Sequence, residues 1–329
     1  MPDIVAVIVN YNGLPFVLDA VNSLRAQTVA PAEIVVVDNG STDGSIEALR
    51  TVPTITLIEA GENLGFAEGC NLAVRSSSAP YIALLNPDAT ADSRWLETLS
   101  RVLDSDKSVA AAGGKIYFKE SMPYIDQAGA YFNNLGNYWG RGFMQADAGQ
   151  FETEQEVAGI TACAMLLRRE ALDGDPLFDP AIFMYGEELD LTLRIRARGH
   201  RIVYSPHAIA YHRGMHSVRR TNEQPRLFQQ FHSNRNRARI LLKYYPWTIL
   251  SRNAHLIAMS FAYWSWVFMV RGGPLFFMRA FAAQLRGAAA GLRQRDRVVV
   301  RAAPVWLPWM THQSLRDLLA QKETMESVD

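Results

Sequence analysis

Residues 181–199 read AIFMYGEELDLTLRIRARG and crowd three carboxylates, Glu187, Glu188 and Asp190, where an apolar loop runs into a helix. Like charges this close disfavour one another's ionisation, so the cluster needs either solvent or a use. An acid-rich first turn is also favoured by the helix dipole without any catalytic purpose. Other candidates for chemistry lie upstream: Asn10-Tyr11-Asn12, Asp38 with the Asn-Gly-Ser-Thr-Asp-Gly that follows it, and Asn86-Pro87-Asp88. A carboxylate at Asp38 can accept from a base imide N–H or a ribose hydroxyl, or can hold an Asx-type turn that feeds a helix start at Ser45. Pro87 stops the apolar run before it and aims Asp88 over its end. One Asp there can ligate a hard divalent cation, Mg²⁺ or Mn²⁺, together with phosphate oxygens, or it can cap the next helix. No GxGxxG or GxxxxGKS/T follows the first apolar run, which argues against a dinucleotide-binding dehydrogenase and a P-loop enzyme.

These residues need a scaffold, and the first hundred residues supply one. Ile4–Val9, Glu33–Val37, Ile55–Glu59 and Tyr81–Leu85 are short apolar runs of the kind found in strands buried on both faces. Between them lie stretches with helical spacing: Phe16–Gln27, where Val17, Ala20, Val21 and Leu24 share a face; Ser45–Arg50; and Asn63–Ser76 with Ala67, Cys70 and Val74. Ser93–Asp104 follows as a further helix. Strand–helix alternation of this length predicts an α/β fold with an open, mostly parallel sheet, in which ligands sit beyond the carboxyl ends of the strands. The polar motifs fall at those ends. Past residue 110 the pattern loosens: residues 124–150 read as loops or short antiparallel strands, Val157–Arg168 as another buried strand, and Arg201–Tyr204 as a short strand before His207 and His212.

VAVIVNYNG, EIVVVDNGSTDGS, NLGFAEGCN, YIALLNPDA and MYGEELDLTLRIRARG occur in this order and spacing. Together they resemble inverting glycosyltransferases of family 2 with the GT-A fold, and within that family the rhamnosyltransferase branch of bacterial cell-surface polysaccharide synthesis. The resemblance covers residues 3 to about 245. It implies a nucleotide-sugar donor, dTDP-L-rhamnose, with UDP- or GDP-sugars as alternatives, and a glycan or polyprenyl-diphosphate-linked acceptor. It implies that Asp38 contacts the pyrimidine base with Asn10, Tyr11 and Asn12 beside it, and that the loop carrying Asn63, Gly65, Phe66 and Asn71 borders nucleotide and sugar. Asn86 and Asp88 stand where the family has an Asp-x-Asp motif, with Asp88 on the metal. His212, with Gly214 and Ser217 matching the pattern around it, is implied near metal and diphosphate, and Arg219 and Arg220 on a loop that neutralises the diphosphate. The family's base is the Asp of a Glu-Asp pair; here the pair is Glu187-Glu188, so Glu188 holds the base position, with Glu187 and Asp190 as alternatives. That departure leaves room for a catalytically silent, membrane-tethered binding subunit.

The charge distribution divides the chain. Residues 1–230 hold 19 Lys and Arg against 28 Asp and Glu, whereas residues 231–310 hold 12 against one, Asp296. A GT-A domain is expected over 1–245, its nucleotide half ending near 110, followed by a basic, aromatic-rich helical extension over 246–329. The uncharged run LIAMSFAYWSWVFMV is shorter than the ~20 apolar residues of a spanning helix, so it is expected to lie at a membrane interface or to pack on the body. After Gly272-Gly273-Pro274, Arg279, Arg286 and Arg293 share one helical face and Phe277, Phe281, Leu285, Ala288 and Leu292 the opposite one, a pattern of in-plane membrane helices. Trp306 and Trp309 could anchor at the interface or pack. Only charge favours a nucleic-acid partner. Cys70 and Cys163 are too few for a disulfide framework, and no basic leader precedes the first strand. The expected location is cytoplasmic, on the inner leaflet of the cell membrane.

Overall fold

The apolar runs and amphipathic stretches of the first hundred residues fold as the alternation they suggest. In order they are β1 (Ile4–Asn10), α1 (Phe16–Arg25), β2 (Glu33–Asp38), α2 (Ser45–Arg50), β3 (Thr56–Glu59), α3 (Gly65–Arg75) and β4 (Tyr81–Leu85). The computed structural model describes residues 3–214 and 224–312. β1 lies between β2 and β4, parallel to both, and β3 extends the parallel set beyond β2. Successive β1 residues serve different cores: Val5, Val7 and Val9 pack on one face of the sheet, and Ile4, Ala6 and Ile8 on the other. A β-branched run suits a strand covered on both sides. α1 buries Val17, Ala20, Val21 and Leu24, the face read from its spacing.

The second half departs from a purely parallel sheet. β5 (Ala89–Ala91), α4 (Trp95–Ser105), β6 (Val109–Phe118), β7 (Ile125–Gln127), β8 (Ala130–Asn133), β9 (Tyr138–Gly140), β10 (Gln155–Glu156), β11 (Ala164–Arg168), α5 (Glu187–Ala197) and β12 (Arg201–His212) complete the body. The sheet order is β10-β12-β6-β11-β4-β1-β2-β3, with β5 on β12 and β7 on β6. β11 runs antiparallel to both β4 and β6, so the sheet is mixed. The strand expected over Val157–Arg168 is thus confined to its last five residues. Because β11 is reversed, the residues that precede it, Thr161–Cys163, lie at the carboxyl end of β4, where Asn86 N donates to Cys163 O at 2.8 Å. β12 is longer than the short strand expected at 201–204. It passes an irregularity between Ser205 and Ile209, then pairs His212 with Ala89 of β5 and Phe118 of β6.

The C-terminal part is a helical layer: α6 (Pro225–Tyr244), α7 (Trp247–Arg252) and α8 (Ala254–Arg293). α8 is two arms joined at Gly273, whose φ of 79° and ψ of 174° break the helix and suit glycine; Pro274 opens the second arm. The first arm runs antiparallel to α6: Arg237 bonds Ser260 Oγ at 2.8 Å and covers the Phe261 ring, while Leu227, a turn from the start of α6, clusters with Val267 and Phe268. The second arm returns parallel to α6. Phe276 meets Phe231, and a Cβ on Gly287 or Gly291 would stand 2.5 or 2.3 Å from the carbonyl oxygens of Arg235 and Arg239. The buried face of this arm is therefore neither of the two faces read from sequence. It is a third, Ala280, Ala283, Gly287 and Gly291, whose small side chains let two backbones touch.

The chain then returns to the body. Trp306 is fully buried against Phe132 and Tyr245, its Nε1 donating to Val299 O at 3.0 Å, and β13 (Met310–Thr311) pairs with β8. The Arg196 guanidinium lies 4.0 Å over the Trp309 ring. Both tryptophans pack. Cys70 and Cys163 are buried and form no disulfide. Among the described residues no helix is long and apolar enough to cross a membrane.

Candidate active site

A cleft of about 1170 Å³ opens beyond the carboxyl ends of β1 and β4, bounded on its far side by α6 and the first arm of α8. It is lined by Tyr11, Asn63, Gly65, Phe66, Asn86, Asp88, Glu187, Glu188 and His212 among the residues singled out from sequence. Asn10, Asn12, Asp38, Asn71 and Asp190 do not line it. Arg219 and Arg220, and Ser217 near them, lie outside the described residues.

The reason for that division is local hydrogen bonding. Asp38 is wholly buried at the end of β2, accepting from Asn10 Nδ2 at 2.7 Å and from Ser41 N at 2.8 Å, so its carboxylate holds the turn that follows. Asn10 is buried beneath that turn and also donates to Ser41 Oγ. Asn12 takes a left-handed φ of 52° and accepts from Thr42 N at 2.8 Å. The neighbour of Asp38, Asn39, reaches the cleft instead, with Nδ2 on Gly65 O at 3.0 Å. Asn71 faces away, clamping Phe178 through both its backbone N and O. Asn63 accepts from Gly65 N, and Gly65 has no room for a side chain: a Cβ there would meet Phe183 O at 2.3 Å. This close approach locks the start of α3 to the loop that leads into α5.

That loop presents the acids. Tyr185 and Gly186 both have positive φ, 64° and 107°, immediately before α5. A left-handed tyrosine costs on the order of 1–2 kcal/mol, and such strain persists only where surroundings enforce it. Asn236 of α6 enforces it, donating to Met184 O at 2.9 Å and to Tyr185 O at 2.7 Å. Glu188 then projects into the cleft with Oε1 accepting from Thr161 Oγ1 at 2.7 Å and Ala162 N at 2.8 Å; among the described residues Oε2 carries no such bond. Glu187 beside it is buried, and among the described residues its Oε2 has no partner. Burial first, then repulsion from Glu188 and Asp190, pushes Glu187 up to about 8, so it stays protonated at neutral pH. Glu188 is also raised, by burial first and by the nearby Asp126 charge, while the bonds from Thr161 and Ala162 and the charge of His212 oppose the shift. Of the two adjacent carboxyls only Glu188 accepts hydrogen bonds from the facing segment, and those bonds favour its charged form. Asp190 is fully buried on the opposite side of the helix. It accepts from Arg194 at 2.9 Å, Lys243 at 3.2 Å and the Tyr244 hydroxyl, which ties α5 to α6 and leaves no oxygen for substrate.

At the other side of the cleft, strand pairing brings His212 against Asp88. Its Nε2 lies 3.3 Å from Asp88 Oδ1, and its Nδ1 lies 2.6 Å from Asp126 Oδ2. Asp126 sits on β7 and was not distinguishable from sequence, since nothing local marks it; only the β6–β7 and β6–β12 registers carry it there. Thr161 and Asn236 were missed for the same reason. Among the described residues there is no cluster of three or more His, Cys, Asp or Glu side chains placed about one metal position. Two facing donors, one histidine oriented by a second carboxylate, still fit a Mg²⁺ or Mn²⁺ ion that takes its remaining ligands from water and a diphosphate.

Residues 5–174 match the domain Glycosyl transferase family 2. An N-acetylglucosaminyl-diphospho-decaprenol L-rhamnosyltransferase of Mycobacterium tuberculosis is 28% identical over 248 residues, 67% of this chain and 79% of that protein. The succinoglycan biosynthesis protein ExoU of Rhizobium meliloti is 27% identical over 69% of this chain and 68% of its own. Among solved structures, GalNAc-T7 with UDP, GalNAc and Mn²⁺ superposes with a TM-score of 0.59 at 14% identity, covering 74% of this chain and 48% of that one. The mannosyltransferase PcManGT of Pyrobaculum calidifontis, with GDP-Man and Mn²⁺, gives 0.50 at 18% identity over 93% and 89%. These likenesses share the GT-A fold. With more than half its length matched by the domain, the chain belongs to glycosyl transferase family 2.

Proposed function

We propose that this glycosyltransferase moves L-rhamnose from dTDP-L-rhamnose to a hydroxyl of a glycan or polyprenyl-diphosphate-linked acceptor in cell-surface polysaccharide synthesis, with inversion. The observation that carries the reading is Glu188, a carboxylate with one oxygen fixed by Thr161 and Ala162 and the other available in the same cleft as the Asp88–His212 pair. The name of the mycobacterial relative, aligned over most of its length, supports the sugar and the lipid-linked acceptor.

Glu188 Oε2 takes the proton from the acceptor hydroxyl as its oxygen attacks the anomeric carbon in line. The new C–O bond forms as the bond to the nucleotide diphosphate breaks, so no covalent enzyme intermediate is required. Glu187, protonated, is a hydrogen-bond donor toward the sugar rather than a base, and Asp190 positions the helix. Asp88 and His212 would hold the divalent cation, with Asp126 orienting the imidazole; when bound, the cation offsets charge on the departing diphosphate. Arg219 and Arg220, which the resemblance implies for neutralising that diphosphate, lie outside the described residues. Tyr11, Asn39, Asn63 and Phe66 would border the nucleotide, with Asp38 and Asn10 holding the turn behind them. The enzyme would work from the cytoplasmic side at the inner leaflet.

A thermal-shift screen with Mn²⁺ tests the donor, because a ligand that binds only the folded state stabilises it by mass action. dTDP-L-rhamnose should raise the melting temperature more than UDP- or GDP-sugars at equal concentration. A larger shift with one of those would transfer the reading to that donor.

A further inference from the structure

Both arms of α8 turn a stripe of large apolar side chains away from the protein. On the first arm Met259, Trp266, Met269 and Val270 recur at helical spacing on the side opposite α6, with Trp266 57% and Val270 62% exposed. On the second, Leu275, Met278, Leu285 and Leu292 do the same, opposite the buried Ala280–Gly291 stripe, with Leu275 59% exposed. Soluble surfaces rarely carry contiguous apolar faces without a partner for them. The exposed Arg279, Arg286 and Arg293 flank the second stripe, and no Asp or Glu occurs anywhere from Gln224 to Arg295. An apolar face edged by cations alone complements an anionic lipid surface. It does not suit a second copy of itself, which would bring two arginine rows together.

We infer that the outward face of the two α8 arms docks on an anionic phospholipid bilayer, lying in its interface rather than crossing it. The docking face is also the back of the cleft wall. Trp266 contacts Tyr263, which contacts Trp264, and Trp264 lines the cleft. Phe268, Phe276, Phe231 and His232 then continue the ring contacts to Phe183, beside the strained loop before Glu187. A membrane held at this face lies behind the cleft wall to which Trp264 belongs, a placement suited to receiving the sugar end of an acceptor whose lipid stays in the bilayer. The purpose assigned here rests on the lipid-linked acceptor proposed above; the docking itself does not.

Cosedimentation of the full chain with phosphatidylcholine vesicles, with and without phosphatidylglycerol, tests the inference. Wild type should pellet with the anionic vesicles and much less with the neutral ones. Trp266→Glu/Met278→Glu, both changes at exposed positions, should lower the bound-to-free ratio roughly tenfold or more. Arg279→Gln/Arg286→Gln/Arg293→Gln should remove the anionic preference, on the order of a hundredfold for three surface arginines. In both variants nucleotide-diphosphate release from the donor in the absence of vesicles should match wild type, which shows that they fold. Wild type left in the supernatant with anionic vesicles, or a Glu variant that pellets as well as wild type, overturns the inference. So does a wild-type dimer in light scattering that the Glu variant dissociates, because the face would then belong to a second copy. Vesicle binding needs no turnover, so intact docking with no donor reaction would count against the proposed activity alone.

Discussion

Replacing Glu187 by Gln should stabilise the protein, and by an amount that grows with pH. The Glu187 side chain is 6% exposed, its Oε2 has no partner among the described residues, and Glu188 and Asp190 repel its charge. Its pKa is therefore raised from 4.5 to about 8. Between those values the folded protein keeps a proton that the unfolded chain releases, so stability falls as pH rises through the window and levels off above it. At 1.36 kcal/mol per unit the full shift sets a ceiling of about 5 kcal/mol. Glu188 shares the repulsion, so about 2–3 kcal/mol is the expected gain for the single substitution at pH 8.5, against nearly none at pH 4.5. For a chain of this size that is a rise in melting temperature of roughly 3–4 °C. Urea unfolding and thermal scans at pH 5, 7 and 8.5, with chelator and without donor, provide the assay. A gain that is the same at every pH, or a loss that deepens as pH rises, would refute a buried, protonated Glu187.

Three further substitutions separate positioning from chemistry. Asp190→Asn should cost about 3 kcal/mol of stability by removing the carboxylate against which the Arg194 guanidinium is buried, Lys243 keeping Asp179 at 2.7 Å, while turnover per folded molecule at low temperature changes little; a large loss of kcat at full folding would return Asp190 to the list of bases. Asn236→Ala removes both bonds that pin Met184 and Tyr185, so kcat should fall about tenfold with donor KM nearly unchanged, for about 1–3 kcal/mol of stability; an unaltered kcat would show that the loop holds itself. Asp126→Asn frees the His212 ring from its carboxylate and should weaken Mn²⁺ binding, read by titration in the presence of nucleotide diphosphate, by about 10–100-fold; wild-type affinity would remove His212 from the ligand set.

What could be read in advance follows the range of the interactions involved. β1, α1, β4 and the start of α5 are written in runs of a few residues, and each formed where its pattern placed it, because burial of a local face decides them. β11 carries the same apolar signal as its parallel neighbours, but strand direction has no local signature, so its antiparallel course was not legible. Asp126 and Thr161 reach the cleft, and Asn236 reaches the loop before α5, through contacts between segments dozens of residues apart. Asp38, Asn71 and Asp190 have the right chemistry and the right place in the chain, yet their hydrogen bonds are used within the fold. In the second arm of α8 a reading by hydrophobicity sees arginines and leucines and passes over Gly287 and Gly291. Those two positions decide which side is buried, since absence of a side chain is what admits the α6 backbone.

The claim that the site is a Glu188-based transferase is tested most directly by the turnover of Glu188→Gln. The isosteric amide keeps the bonds' geometry at Thr161 and Ala162 nearly intact but cannot accept the acceptor's proton. With Mn²⁺ and saturating dTDP-L-rhamnose, kcat for transfer should fall by roughly 10²–10⁴ while the donor still raises the melting temperature as it does for wild type. A variant that transfers within about threefold of wild type would contradict the assignment, whatever the donor proves to be.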